Sequence, residues 1–228
     1  TAHPDYTPLV CEKLSALTGL ALETAPNLIE ATQDCGAFVQ LSGVLKRVAV
    51  KLPKSCNDLR LLSSGPRAGL GEINLPARQA GSSIMPGKVN PVIPEVVTQV
   101  AYEVIGNDMT VTMAAEAGQL QLNAFEPVIA YSLFRSVSHL AAACDTLREN
   151  CVVGITANRD YLLDTVHRSV GLVTALNPYI GYAAATEVAT EAHQSGGSVY
   201  DIVLRRGLLT REQLDTVLQP AALTSPRW

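Results

Sequence analysis

The chain has 228 residues, of which 47% are hydrophobic, and it carries a formal net charge of −4 at pH 7. That much apolar sequence can fill a folded core, so the composition excludes a disordered chain. The slight acidic excess, without a dense Lys/Arg cluster, argues against nucleic acid and anionic membrane surfaces as partners. Small molecules and other proteins are the partner classes that remain.

The five cysteines form no C-x-x-C pair and have an odd total, which argues against a secreted disulfide framework and against a zinc site. We interpret them as buried thiols of a cytoplasmic protein. No apolar run reaches the roughly 18 to 20 residues of a membrane-spanning helix, and the first residues do not resemble a signal peptide. The sequence begins without methionine, so we expect it to be part of a longer chain.

Hydrophobic residues recur at helical spacing through most of the chain, which predicts an all-α fold. A first short helix is predicted to follow Thr7, with Pro8 at its first position, and to end near Gly19. A second is predicted to begin at Asn27, where Glu30 completes a capping-box pattern.

The second helix is predicted to continue to about residue 63, although Pro53 should kink it or end it early. Its apolar residues recur at steps of three or four, which indicates a bundle with a nearly parallel partner helix. These residues are Phe38, Leu41, Leu45, Val48, Leu52, Cys56 and Leu59.

A long irregular stretch, residues 64–90, follows, and loops of this length are usually functional in compact domains. Asn90 is predicted to cap the next helix, with Pro91 at its first position. The buried stripe of that helix is predicted to contain Ile93, Val96, Val97, Val100 and Val104. A fourth helix is predicted over residues 126–151, with Val128, Leu133, Val137, Leu140 and Cys144 on its apolar face.

Beyond residue 155 shorter helices are separated by Asn, Pro and Gly, which predicts a second domain. We therefore divide the chain into residues 1–155, a helical bundle, and residues 156–228, a small helical domain. Thr210 and Gln213 predict a capping box at the start of the last helix.

The loop "GSSIMPGKVNP" contains the most chemistry in the sequence. It places two hydroxyls, Ser82 and Ser83, a cation, Lys88, and an amide, Asn90, after a glycine hinge, Gly81, and before a helix N-terminus. Such a group of donors attracts a carboxylate or phosphate, and it would make a serine hydroxyl a better base or nucleophile. Acyl transfer would also need an oriented histidine.

None of the four histidines, His3, His139, His167 and His193, lies in a catalytic context. The residues alone leave open an ordinary polar loop at the two serines and a solvated surface charge at Lys88. Glu95 lies in the first turn of a helix, where the dipole favours a carboxylate in any protein.

The same loop closely resembles the signature of the aspartase/fumarase superfamily, and the similarity runs through nearly the whole chain. The segments "CNDLRLLSSGPRAGLGEINLP", "VIGNDMTVTMAAEAGQLQLN" and "EPVI" are similar to its aspartate ammonia-lyase branch. The resemblance implies a long-helix bundle, a homotetramer with active sites built from three subunits, and a small dicarboxylate or amino-acid substrate. It implies no required cofactor and no bound metal, although some members respond to divalent cations.

Carried over by position, the resemblance makes Ser82 the general base that removes a Cβ proton from L-aspartate, which leads through an aci-carboxylate to fumarate and ammonia. Lys88 and Asn90 would bind substrate carboxylate, with the amides around Ser83 and Met85 assisting. Glu95 would pair with a histidine of a neighbouring subunit. The signature loop, residues 81–91, also includes Gly81, Pro86 and Pro91.

The chain resembles only the C-terminal part of a family subunit, so we expect it to be inactive alone. Class II fumarase activity, from malate to fumarate, is the first alternative, and a non-catalytic helical scaffold is the second. A third is a helix-turn-helix binding module in the last helices, which the acidic charge balance disfavours.

Overall fold

The computed structural model describes residues 2–81 and 84–224. Their regular structure is almost entirely helical, which confirms the all-α prediction. The first five helices are α1 (Tyr6–Thr18), α2 (Leu28–Ala31), α3 (Gly36–Leu62), α4 (Val92–Glu116) and α5 (Glu126–Asn150). The shorter helices that follow are α6 (Arg159–Arg168), α7 (Val173–Ile180), α8 (Tyr182–Ser195), α9 (Val199–Arg205), α10 (Arg211–Val217) and α11 (Pro220–Thr224). Two 3₁₀ turns lie at Val152–Gly154 and Val170–Leu172.

The chain folds into two compact units, the second of which begins with a segment that precedes α4. The first unit contains the residues up to Leu61 together with Leu75–Ile155, and the second contains Leu62–Asn74 together with the residues from Thr156 onwards. The predicted boundary near residue 155 would place residues 62–74 in the first domain. In the structure these residues belong to the second unit, because β1 (Ile73–Asn74) pairs antiparallel with β2 (Thr156–Ala157).

The start of α1 differs from the prediction. The helix begins at Tyr6, two residues before Pro8, and the predicted cap Thr7 lies inside it. Proline is tolerated anywhere in the first turn, because those N–H groups have no helical acceptor. The predicted end is confirmed, since Gly19 closes the helix in the left-handed conformation with φ of 72°.

The single helix predicted from Asn27 to residue 63 is wrong. Asn27 does cap a helix, its side chain accepting bonds from Ile29 N and Glu30 N, but that helix ends at Ala31. A new helix begins at Gly36, whose N–H donates to the Asp34 carboxylate at 3.1 Å. The polar side chains between them offer the backbone local bonds that compete with the helix.

Pro53 does not end α3, which continues to Leu62. The early end considered in the sequence analysis is therefore wrong. Pro53 is buried, so packing against the other long helices compensates for the helical hydrogen bond that its missing N–H removes.

The buried seam of α3 lies beside the predicted stripe. Ser42, Ala49 and Cys56 are buried at intervals of seven, whereas Phe38, Leu41 and Val48 are 43%, 44% and 39% exposed. Small residues at this seam allow a close approach of α3 to its neighbours. The predicted heptad spacing of α3 is therefore right, but the prediction of which face is buried is partly wrong.

The buried faces of α4 and α5 also differ in part. Val97 and Val104 are buried as predicted, but Val96 is 44% exposed. On α5 the buried set is Ile129, Ser132, Leu133, Ser136, Leu140, Ala143 and Leu147. Val128 and Val137 are exposed, as is Cys144, because α5 carries apolar residues on more than one side and only packing selects which side is covered.

The core clusters show that α4 runs antiparallel to both α3 and α5, since Val97 packs with Cys56 and Leu147, whereas Val111 packs with Cys35 and Ile129. Ser42 Oγ donates to Asp108 Oδ1 at 2.8 Å, near the start of one helix and the end of the other. Asn107 Nδ2 donates to Ser136 Oγ at 3.1 Å. These pairs satisfy polar groups inside the bundle and thereby fix the register of the helices.

Asp108 is the buried charge of this bundle. Burial raises its pKa, but the bonds from the Lys46 ammonium and the Ser42 hydroxyl outweigh burial, so the pKa lies below the ordinary value. A depressed carboxyl pKa adds stability that is present above the unfolded-state value of about 4 and is lost as the pH falls through the folded-state value.

We expect Asp108→Asn to destabilise the bundle by about 1–3 kcal/mol at pH 7, because hydrogen bonds to a charged group are lost. The difference in Tm between the two proteins should shrink as the pH falls below about 4. Thermal unfolding followed by circular dichroism at pH 7 and pH 3.5 measures both. The control is Asp58→Asn, since Asp58 is half-buried and pairs with Lys54 on its own helix. A difference that does not change with pH would contradict the assignment.

The core of the second unit is separate and apolar. Its fully buried members include Leu176, Val188, Val199, Val203 and Leu214. The predicted capping box is confirmed, since Thr210 Oγ1 accepts from Gln213 N and Gln213 Oε1 accepts from Thr210 N.

The cysteines are all unpaired, but they are not all buried. Cys35, Cys56 and Cys151 are buried, whereas Cys144 is exposed and Cys11 is half-buried, which corrects the expectation of five buried thiols. Across residues 2–81 and 84–224, no helix combines the length and apolar character that a membrane span requires.

Candidate active site

The signature loop connects the strand at Asn74 to α4, and its two serines, Ser82 and Ser83, lie outside the described residues. On their N-terminal side, Gly81 has φ of +96°. A Cβ atom at this position would lie 3.0 Å from the Lys88 carbonyl oxygen. The glycine is therefore required both by backbone conformation and by the close approach of the two ends of the loop.

A tight turn shapes the loop after the serines. Lys88 N donates to Met85 O at 3.1 Å, and Pro86 and Gly87 are the two central residues, with φ of +80° at Gly87. Pro followed by Gly with positive φ is the pattern of a type II turn. The Pro-Gly sequence therefore favours this turn, and the turn fixes the position of the Lys88 backbone.

Lys88 is exposed and Asn90 is half-buried. In the part of the chain that the structure describes, neither side chain makes a hydrogen bond or an ion pair with another residue. Met85 is 50% exposed and Pro86 is exposed, while Pro91 is half-buried. The loop thus presents a cation and an amide that the described residues of its own unit do not bind.

Asn90 does not cap the following helix, which corrects the prediction. The cap residue is Pro91, without a side-chain cap bond, and α4 begins at Val92. Pro91 has φ of −78° and ψ of 61°, which is not helical, so the helix starts one residue later than predicted. The Asn90 carbonyl accepts from Val92 N at 2.9 Å, and its amide side chain remains available.

The base of the loop is anchored to the end of α5. Arg78 Nε donates to Asn150 O at 3.0 Å and its Nη2 to Glu149 O at 3.3 Å. A cation at the last carbonyls of a helix is favoured by the helix dipole. Leu75 and Ile93 pack on the core that contains Cys56, so both ends of the loop are fixed to the bundle.

Glu95 lies in the first turn of α4 as predicted, and it has a partner that the sequence analysis did not identify. Arg60, in the last turn of α3, places Nη2 at 3.8 Å from Glu95 Oε1. The two side chains are 42% and 37% exposed. Nothing in the sequence distinguishes Arg60 from other arginines as the partner of Glu95, because the residues lie on different helices.

The histidines have other surroundings. His139 Nδ1 lies 2.8 Å from Glu103 Oε2, and Arg135 also pairs with Glu103. In the second unit, His167 stacks on Tyr200 beside a cavity of about 370 Å³. Neither histidine lies near the signature loop in sequence, and the cavity contains none of the predicted site residues. Among the described residues, no group of three His, Cys, Asp or Glu side chains is arranged to hold a metal ion.

Two family models match the chain. One described as Lyase matches residues 1–106, and one described as Fumarase C C-terminus matches residues 172–225. Together they cover the signature loop and most of the second unit.

Curated relatives are similar over almost the whole chain. An aspartate ammonia-lyase of Helicobacter pylori is 61% identical over 99% of this chain and 48% of its own length. Those of Pseudomonas aeruginosa and Escherichia coli (strain K12) are 58% and 57% identical over 99% and 98% of this chain, and over 48% and 47% of their own lengths. The chain spans about half the length of the curated relatives it matches.

Solved structures are also similar over almost the whole chain. A structure described as fumarate lyase:delta crystallin from Brucella melitensis bound to cobalt has a TM-score of 0.91 at 53% identity, over 99% of this chain and 49% of that one. A recombinant class II fumarase from Schistosoma mansoni has a TM-score of 0.85 at 33% identity, over 96% of this chain and 49% of that one.

Proposed function

We propose that the chain belongs to the aspartase/fumarase superfamily and is part of an aspartate ammonia-lyase, which converts L-aspartate reversibly to fumarate and ammonia. The observation that carries the choice of substrate is the identity of 57–61% with aspartate ammonia-lyases, against 33% with a class II fumarase.

In the proposed reaction, the Ser82 hydroxyl, ionised by surrounding donors, removes a proton from Cβ of L-aspartate. The electron pair moves into the β-carboxylate, which becomes an aci-carboxylate dianion. Hydrogen bonds to this carboxylate strengthen as the charge develops. They therefore stabilise the transition state more than they stabilise bound substrate, which lowers the barrier. The pair then returns to form the double bond, the Cα–N bond breaks, and ammonia leaves to give fumarate.

Lys88 is proposed to bind the β-carboxylate. It is a full charge that the described part of the chain leaves unpaired, beside the positive end of a 25-residue helix. Asn90 and the amides around Ser83 and Met85 would complete the binding of the carboxylates. Glu95 would orient a histidine supplied by a neighbouring subunit.

A homotetramer is part of the proposal. The long helices expose large apolar side chains that this chain does not cover, among them Phe38 at 43%, Met113 at 66% and Phe134 at 76%. Apolar surface of this extent on packed helices is typical of an obligate interface. Active sites composed of several subunits would then bring the remaining site segments to the signature loop, and the chain alone would be inactive.

No cofactor is required for this chemistry, and activation by a divalent cation remains a proposal. A cytoplasmic location is proposed from the five unpaired thiols, since disulfides are rare in reducing compartments. The last helices, considered as a binding module in the sequence analysis, lie within the segment that the Fumarase C C-terminus family model matches.

The test is fumarate formation, followed by ultraviolet absorbance, by the protein expressed together with its upstream coding sequence. We expect activity with L-aspartate and at least about 100-fold less with L-malate, because the site must hold a leaving ammonium rather than a hydroxyl. Activity with malate alone would make the protein a fumarase. A folded tetramer without activity on either substrate would make it a scaffold.

A further inference from the structure

We propose that Arg60 is a positioning residue for Glu95, holding one carboxylate oxygen so that the other faces the group on which Glu95 acts. The inference rests on the proposed function, in which Glu95 orients a histidine. It adds a residue from α3 to a site otherwise built on the signature loop and α4.

The first support is geometric. Arg60 Nη2 lies 3.8 Å from Glu95 Oε1, which is longer than a hydrogen bond but within range of a charge–charge attraction. No group in residues 2–81 and 84–224 donates a hydrogen bond to the second oxygen, Oε2. A carboxylate accepts on both oxygens, so Oε2 is left for an imidazole N–H.

The second support is that both residues stand on rigid elements. Cys56 and Leu59 on α3 pack with Ile93 and Val97 on α4 in one core cluster, whose members are close in sequence to the pair. Arg60 therefore reaches Glu95 from a fixed position. A loop residue would not hold the carboxylate this well, because its backbone would move with the loop.

The charges also suit the helix ends at which they lie. Arg60 is in the last turn of α3, where a cation is favoured, and Glu95 is in the first turn of α4, where a carboxylate is favoured. An exposed pair of this kind contributes little to stability. We expect the pair to contribute by orienting the Glu95 carboxylate.

The test is a double-mutant cycle in the protein expressed with its upstream coding sequence, using Arg60→Ala, Glu95→Gln and the double variant. We expect Arg60→Ala to lower kcat for L-aspartate by about tenfold with little change in KM, and to have almost no further effect when Glu95 is already Gln. Arg60→Lys should recover part of the loss, since it keeps the charge without the planar fork.

Arg148→Ala is the matched control, because Arg148 is exposed and pairs only with its neighbour Glu149 among the described residues. The inference would be overturned if Arg60→Ala lowered kcat equally in the unmodified protein and in Glu95→Gln. Full activity of Arg60→Ala would also overturn it. If Arg60→Ala does not assemble, the decision rests on the same cycle with Arg60→Lys. An unmodified protein that makes no fumarate would overturn the proposed function, and the inference with it.

Discussion

Replacing Ser82 with alanine is expected to reduce fumarate formation from L-aspartate by about 10²–10⁴-fold, the usual contribution of a positioned general base. The same factor is expected for the addition of ammonia to fumarate. The group that removes the Cβ proton in one direction returns it in the other, so both rates depend on it.

The matched control is Ser138→Ala. Ser138 is exposed on α5 and makes no side-chain hydrogen bond within the described part of the chain. Initial rates in both directions, with Tm and tetramer content measured for each variant, separate a lost base from a lost fold. Activity of Ser82→Ala within tenfold of the unmodified protein would remove Ser82 from the mechanism.

Replacing Lys88 with alanine is expected to lower kcat/KM by about 10²–10³-fold, because a fixed cation would no longer stabilise the charge that develops on the β-carboxylate. Its Tm should be unchanged, since Lys88 has no partner in the residues that the structure describes. If the contact strengthens in the transition state, the loss appears in kcat; if it is equal in both states, it appears in KM.

Lys88→Arg and Lys13→Ala complete this experiment. Arginine keeps the charge but presents a planar fork in place of a compact ammonium, so an intermediate loss is expected. Lys13 is an exposed lysine of α1 that pairs with Glu12, and its removal should leave kcat/KM unchanged. Normal activity of Lys88→Ala would mean that Lys88 is a solvated surface charge, the alternative that the sequence left open.

Local chemistry explains which parts of the fold could be predicted. The capping box at Thr210 and the end of α1 near Gly19 were predicted, and each depends on residues within four positions of one another. The turn at Pro86–Gly87 was not predicted, although it depends on equally local residues. Their side chains or backbone preferences act directly on the adjacent chain. The break between α2 and α3 is also local, since Gly36 N donates to the Asp34 carboxylate there, but the apolar periodicity that continues across it predicted one helix.

Packing explains what could not be predicted. The apolar residues of α3 and α5 cover more than one side of each helix, and the side that is buried depends on where the neighbouring helices lie. Ser42 and Asp108 show the same limit: a buried polar seam is recognised only when both partners are seen together.

The sequence by itself determined the class of fold and the identities of the proposed site residues, because helical periodicity and the signature motif are written in consecutive positions. Only the tertiary structure decided that Arg60 lies near Glu95, that Asn90 does not cap α4, and that Leu62–Asn74 belongs to the second unit. The physical reason is that these depend on distances between residues far apart in the chain, which are set by the packing of whole helices and strands and not by any local preference.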